Sequence, residues 1–110
     1  EVMKKVADGE GKFSFDVKEG FALTIVLAAK GYPINYQKGI ELQGIKEKGE
    51  GTFVIPANVK KSDKKYISTG GRILSVSSVG EDFEKVRENG YNLIEKISDK
   101  KTYYRKDIGL

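Results

Sequence analysis

Apolar and polar residues alternate along "KFSFDV", residues 12 to 17, which places Phe13, Phe15 and Val17 on one side and predicts a half-buried strand. The next apolar run, "FALTIVLAA" from Phe21 to Ala29, lacks that alternation. Its β-branched Thr24, Ile25 and Val26 predict a strand buried on both faces at the centre of a sheet. "IELQGI", residues 40 to 45, reads as a weak strand and "EKGEG" as a turn. "TFVIPA" follows as a strand that Pro56 assigns to an edge or to its own end. "KKSDKK" is a lysine-dense turn, and "YISTGGRILSVSSV" reads as two strands joined at Gly70 and Gly71 by a two-residue hairpin requiring positive φ. The period changes to that of a helix in "EDFEKVRENGYNLIEKI". Phe83, Val86, Gly90, Leu93, Ile94 and Ile97 share one stripe there, and Glu81 and Asp82 sit in the first turn, where the helix dipole favours them. Gly90 costs a helix about 1 kcal/mol against Ala, so a close approach to the sheet is expected at that position. "EVMKKVADGEG" reads as the last turns of a helix stopped by Gly9.

Composition narrows the chemistry more than the fold. The 110 residues, 38% of them hydrophobic, suffice for one domain with a modest core. With no Cys and no His, thiol nucleophiles, imidazole bases, disulfides and zinc clusters are excluded from this segment. Twenty basic against sixteen acidic side chains give a net charge of +4. The two signs are interleaved, so nucleic acid is not indicated by charge alone. The longest apolar run is far short of the ~20 residues of a membrane span, and the expectation is a cytoplasmic protein. The chain opens on Glu1 with its only Met at position 3, which reads as a piece of something longer.

No catalytic set is complete, and neither phosphate-binding glycine motif is present. Glu84, Glu88 and Glu95 read as solvated charges on the helix, so no general acid and base pair is proposed. Two segments invite a functional reading. In "TGGR", Gly70 and Gly71 form either a plain hairpin turn or a place where backbone amides approach an anion, with Arg72 as a guanidinium fork for phosphate or carboxylate. In "AAKGYPINYQKG", Gly31, Pro33 and Gly39 supply turn chemistry, but a turn has no need of Tyr32, Tyr36 and Lys38. "KKSDKK" reads as a solubilising turn without the aromatics of a single-strand binding face. "YYRKDIG" reads as a tail in which Arg105 pairs with Asp107, a bond worth little if exposed.

Taken in order and spacing, "VLAAKGYPINYQKG", "STGGRILSVSSVG", "NGYNLIEKI" and "YYRKDIG" resemble the C-terminal domain of the phosphoribosylamine-glycine ligase family of ATP-grasp enzymes. The resemblance implies an α+β, mainly β fold: an antiparallel half-barrel or sandwich, the rudiment single hybrid motif, with one C-terminal helix. It implies residues 1–16 as the junction from an upstream ATP-grasp domain and residues 17–110 as the C-terminal closing domain. The implied activity of the whole enzyme joins glycine to 5-phosphoribosylamine with ATP hydrolysis to ADP in purine biosynthesis. ATP and Mg²⁺ (or Mn²⁺) would be bound by the ATP-grasp domain and none by this segment, which would hold no catalytic residue and be inactive alone. A Gly-Arg strand start touches the substrate phosphate in related purine ligases, which implies that role for Gly70, Gly71 and Arg72. Tyr32, Pro33, Tyr36 and Lys38 would line the interface with the ATP-grasp domain. Two departures stand out: "IPANV" replaces the family's His-Ala-Gly-Thr, and Gly90 replaces its helix Ala. The alternatives are a small basic nucleic-acid-binding module acting through Lys60, Lys61, Lys64 and Lys65, and the matching domain of a sister ATP-grasp carboxylase, whose families lack this pairing of motifs.

Overall fold

The computed structural model describes residues 1–110. A short helix, α1 (Val2–Ala7), precedes β1 (Phe21–Ala29), β2 (Glu41–Leu42), β3 (Thr52–Pro56), β4 (Val59–Ser62), β5 (Lys65–Ser68) and β6 (Arg72–Gly80). Helix α2 (Phe83–Ile97) and β7 (Thr102–Tyr103) follow. The strands make two open antiparallel sheets and no closed barrel: four strands in the order β3-β6-β1-β7, and three in the order β2-β5-β4. The mainly β fold with one long helix is therefore as expected, and Pro56 does end an edge strand.

Helix α2 lies across one face of the larger sheet. Asp82 caps it by accepting from the Lys85 backbone N–H at 3.1 Å, which satisfies a donor that the first helical turn leaves free. Asp82 thus stands just before the first turn rather than in it, and Glu84 is the acid within it. Val86, Leu93, Ile94 and Ile97 meet Leu23, Ile25 and Leu27 of β1 and Leu74 and Val76 of β6 in one core, which Ile40 and Leu42 extend toward the second sheet. Gly90 is in that interface: a methyl there would lie 3.4 Å from Ser78 Cβ and 3.5 Å from Leu23 Cδ2, ordinary contact distances. The close approach expected at Gly90 is real, yet it leaves room for Ala. Gly90→Ala is therefore expected to stabilise the chain by up to about 1 kcal/mol, raising the melting temperature by roughly 5 °C. A drop in melting temperature would show that the helix sits closer to Ser78 than this.

Three expectations fail, each for a physical reason. From Phe21 to Leu27 strand β1 is buried on one face only: Leu23, Ile25 and Leu27 are inside, Val26 is 47% exposed on the other side, and both faces are covered only at Ala28 and Ala29. Its unbroken apolar run suggested two covered faces, but α2 covers just one. "KFSFDV" pairs with no strand, and Phe15 and Val17 are 62% and 79% exposed. A strand needs a partner ladder and a covered face, and the chain supplies that segment with neither. Gly70 and Gly71 do not make a hairpin, because β5 and β6 belong to different sheets, and neither glycine has positive φ. The two-residue hairpin is instead in "KKSDKK", where Ser62 pairs with Lys65 and Asp63 takes a φ of 54°. Of "IELQGI", only Glu41 and Leu42 pair, with Ile67 and Tyr66.

Candidate functional site

The chain passes between the two sheets at one corner. It leaves the larger sheet through Ala57 and Asn58 and returns through Thr69 to Gly71. These segments are bonded together: Ala57 and Asn58 N–H donate to Ile73 O, both at 2.9 Å, and Thr69 N–H donates to Asn58 O at 2.9 Å. The connection from β1 to β2 crosses at the same corner, where Ala29 N–H donates to Gly71 O at 2.8 Å and Gly39 N–H donates to Ser68 O at 2.8 Å. The "GYPINY" loop and the "GGR" segment, separate candidates in the sequence, are thus one site.

Side chains lock the corner. The Tyr32 ring occupies the space beside Gly71, so a methyl on Gly71 would meet its Cε2 at 2.6 Å. Asn58 occupies the space beside Gly70, where a methyl would lie 2.8 Å from its Cγ. Its Nδ2 donates to Arg72 O at 2.7 Å. Glycine is needed at 70 and 71 for room rather than for backbone freedom. Tyr32 meets Tyr36 edge to face with ring centroids 5.5 Å apart, and Tyr36 packs against the core. The Tyr103 hydroxyl donates to Tyr32 O at 3.1 Å. The Tyr32–Pro33 peptide is cis.

Arg72 stands at the rim of this corner. Between Leu27 and Ala28 the pairing of β1 with β6 shifts by one residue, so that Ala28 lies opposite Arg72 and Ile73 is the extra residue. A bulge of this kind re-aims the side chains beyond it. Arg72 and Lys38 are exposed, and neither makes a side-chain hydrogen bond or ion pair within the chain. Arg72 thus offers an unengaged guanidinium on a backbone held by Asn58 and Tyr32, an arrangement suited to an oxyanion. The side chains of this corner include no carboxylate, and nowhere in the chain do three carboxylates come together.

Asn58 and Tyr103 escaped the sequence reading. Asn58 appeared there only as a departure in "IPANV", and no local pattern connects it with Arg72. The tail behaves as expected: Arg105 grips Asp107 through two bonds, of 2.9 and 2.6 Å, which hold the carboxyl below its ordinary range and the guanidinium above its own. That pair is exposed, and the firmer attachment comes from α2. Tyr91 Oη donates to Arg105 O at 2.9 Å and accepts from Ile108 N–H at 3.1 Å, while Arg87 donates to the Ile108 and Lys106 carbonyls, each at 3.1 Å. Tyr91→Phe removes two of these bonds and leaves the part-buried Ile108 N–H unpaired. A loss of about 1–2 kcal/mol is expected, read as a lower urea midpoint and faster amide exchange across residues 105–110. Unchanged exchange would show that the tail is held by packing alone.

The lysine hairpin does not develop into a nucleic-acid face. Lys65 is tied to Glu41 at 2.9 Å and keeps that carboxyl below its usual range, and the Tyr66 ring in the same cleft faces Lys46 at 5.8 Å.

Residues 22–110 match the family described as phosphoribosylglycinamide synthetase, C domain. The chain is 43% identical over 93 residues to a phosphoribosylamine-glycine ligase of Leptospira interrogans, covering 84% of this chain and 22% of that one. It is 36% identical over 109 residues to that of Caldanaerobacter subterraneus, covering 98% and 26%. Its fold is similar to the crystal structure of the phosphoribosylamine-glycine ligase of Thermotoga maritima, with a TM-score of 0.78, 36% identity, and 94% of this chain and 25% of that one covered. The chain spans about a quarter of the length of these relatives. With the family's pattern extending through the "GYPINY" corner, the Arg72 strand and the Tyr91-held tail, the chain belongs to the phosphoribosylglycinamide synthetase C-domain family.

Proposed function

We propose that this chain serves as the closing C-terminal domain of a phosphoribosylamine-glycine ligase, which joins glycine to 5-phosphoribosylamine with ATP hydrolysis to ADP in purine biosynthesis. The observation that carries the proposal is the family match across residues 22–110, together with 36–43% identity to ligases of that name. Residues 1–16 are the junction to an upstream ATP-grasp domain of the same protein, and the site of action is the cytoplasm. ATP and Mg²⁺ (or Mn²⁺) would be held by that upstream domain, where the glycine carboxylate would take the γ-phosphoryl group of ATP as an acyl phosphate and ADP would leave. An acyl phosphate hydrolyses in water, so a domain that closes over it and excludes solvent matters to the rate without contributing a reacting group.

Within that scheme, Arg72 binds the phosphate of 5-phosphoribosylamine, and Gly70 and Gly71 bring the strand start close to it. The support is the unpaired guanidinium at a corner whose backbone is fixed on two sides. Tyr32, Pro33, Tyr36 and Lys38 form the loop that meets the ATP-grasp domain. In the complete ligase, Arg72→Ala is expected to raise the KM for phosphoribosylamine roughly tenfold, the weight of one charge-assisted hydrogen bond of about 1.5 kcal/mol, and to leave the KM for ATP unchanged. An unchanged phosphoribosylamine KM removes Arg72 from the site.

A further inference from the structure

Short of Arg72, which the register sets opposite Ala28 beyond the bulge, the face of the larger sheet opposite α2 carries no charge. It is formed by Ala22, Thr24 and Val26 of β1, Ser75, Ser77 and Val79 of β6, and Phe53 and Ile55 of β3, which the register sets side by side: Ala22 beside Val79, Thr24 beside Ser77 and Phe53, Val26 beside Ser75 and Ile55. Phe53 is 54% exposed and Ile55 51%, with Val26 and Val79 close behind. One residue in three of the chain is charged, so a face of eight without a charge is a departure from its surface elsewhere. Depletion of charge at the centre with apolar side chains around it is the composition of an interface core. Two of its three hydroxyls already have a partner: Thr24 Oγ1 and Ser77 Oγ hydrogen-bond each other at 2.7 Å, which lowers the cost of taking them out of water, while the Ser75 hydroxyl has no partner within the chain.

We infer that this face is a docking surface, and that its occupant is the remainder of the ligase, an inference that rests on the proposed function. Two observations favour that occupant. The relatives are about four times longer than the matched segment, so most of their mass is available to cover the face. The face is also continuous with the stretch that leads into β1: an open cleft of about 470 Å³ joins Lys18, Glu19 and Phe21 to Ala22, Phe53 and Val79. Just before it, Phe15 and Val17 lie uncovered as well. Both unpartnered surfaces thus adjoin the path along which the chain arrives, where a body tethered through residues 1–20 would sit. Tethering raises the effective concentration to about millimolar, so a face of this modest size suffices without forming a free-standing dimer.

The test is hydroxyl-radical footprinting of the 110-residue chain and of the complete protein that carries it. Phe53 and Ile55 are expected to oxidise at least tenfold more slowly in the complete protein, while Leu110, 90% exposed and on the other side of the sheet, keeps its rate. Phe53→Lys in the complete protein is expected to restore rapid oxidation of Ile55, and in the short chain to leave the melting temperature unchanged. Equal rates for Phe53 and Ile55 in the two forms overturn the inference. So does a short chain that sediments as a dimer and becomes monomeric with Phe53→Lys, since the occupant is then a second copy. The footprint needs no turnover: a complete protein that protects Phe53 but forms no ADP with glycine and phosphoribosylamine supports the surface and defeats the ligase reading.

Discussion

Gly31→Ala is expected to destabilise the chain by about 3 kcal/mol, lowering its melting temperature by roughly 15 °C. Gly31 has a φ of 87°, and a methyl on it would fall on the Asn35 carbonyl oxygen, with the Asn35 carbonyl carbon 3.0 Å away. Those atoms are backbone and cannot swing aside. They are also tied to Gly31, whose carbonyl accepts from the Ile34 and Asn35 N–H groups at 3.1 Å each. The turn must therefore open, and the Tyr32–Tyr36 contact is lost with it. Thermal melting gives the magnitude, and the tyrosine signal in near-ultraviolet circular dichroism reports the loss of the ring pair. A variant that melts within about 3 °C of the parent contradicts this path for residues 31–36.

Gly71→Ala is expected to cost about 2 kcal/mol by overpacking, with a consequence for function that Gly90→Ala lacks. The added methyl enters the space of the Tyr32 ring, with Cγ at 3.0 Å as well as the ring edge, so no simple tilt relieves it. Either Tyr32 leaves the corner, or the strand start carrying Arg72 shifts away from β1. A double-mutant cycle with Tyr32→Ala identifies the source: the second substitution removes the clash, and the pair is expected to be less destabilised than the sum by more than about 1 kcal/mol. Additive losses would place the clash elsewhere. If Arg72 has the proposed role, Gly71→Ala in the complete protein is expected to raise the phosphoribosylamine KM in company with Arg72→Ala, because both disturb one strand start.

The larger sheet and its helix were legible because their signals are local. The stripe from Val86 to Ile97 and the runs that became β1, β3 and β6 each declare a buried face within a few residues. Gly70 and Gly71 were read as a hairpin because two glycines between strands usually provide positive φ. Here they provide clearance for Tyr32 and Asn58, side chains that approach from 39 and 12 residues away along the chain. Such a requirement has no local signature. The alternation in "KFSFDV" is a genuine pattern without a partner in this chain, and the apolar outer side of β1 is a similar case. In both, the sequence carries an apolar surface that no element of these 110 residues covers. Arg72 was legible as a candidate from its guanidinium, the two glycines before it and the family resemblance, whereas Asn58 became visible only once the crossovers were seen to share a corner.

The order of strands also governs how the chain reaches its fold. Ile25 pairs with Val76 and Ala22 with Val79, so the central ladder joins positions roughly fifty or more residues apart. At about 5–20 residues per second, the ribosome takes several seconds to deliver β6 after β1. Throughout that time "FALTIVLAA" has neither its ladder nor its helix and is open to pairing with other chains. High contact order of this kind puts folding in the slower range, milliseconds to seconds. An upstream domain that has already folded would shelter β1 during that wait.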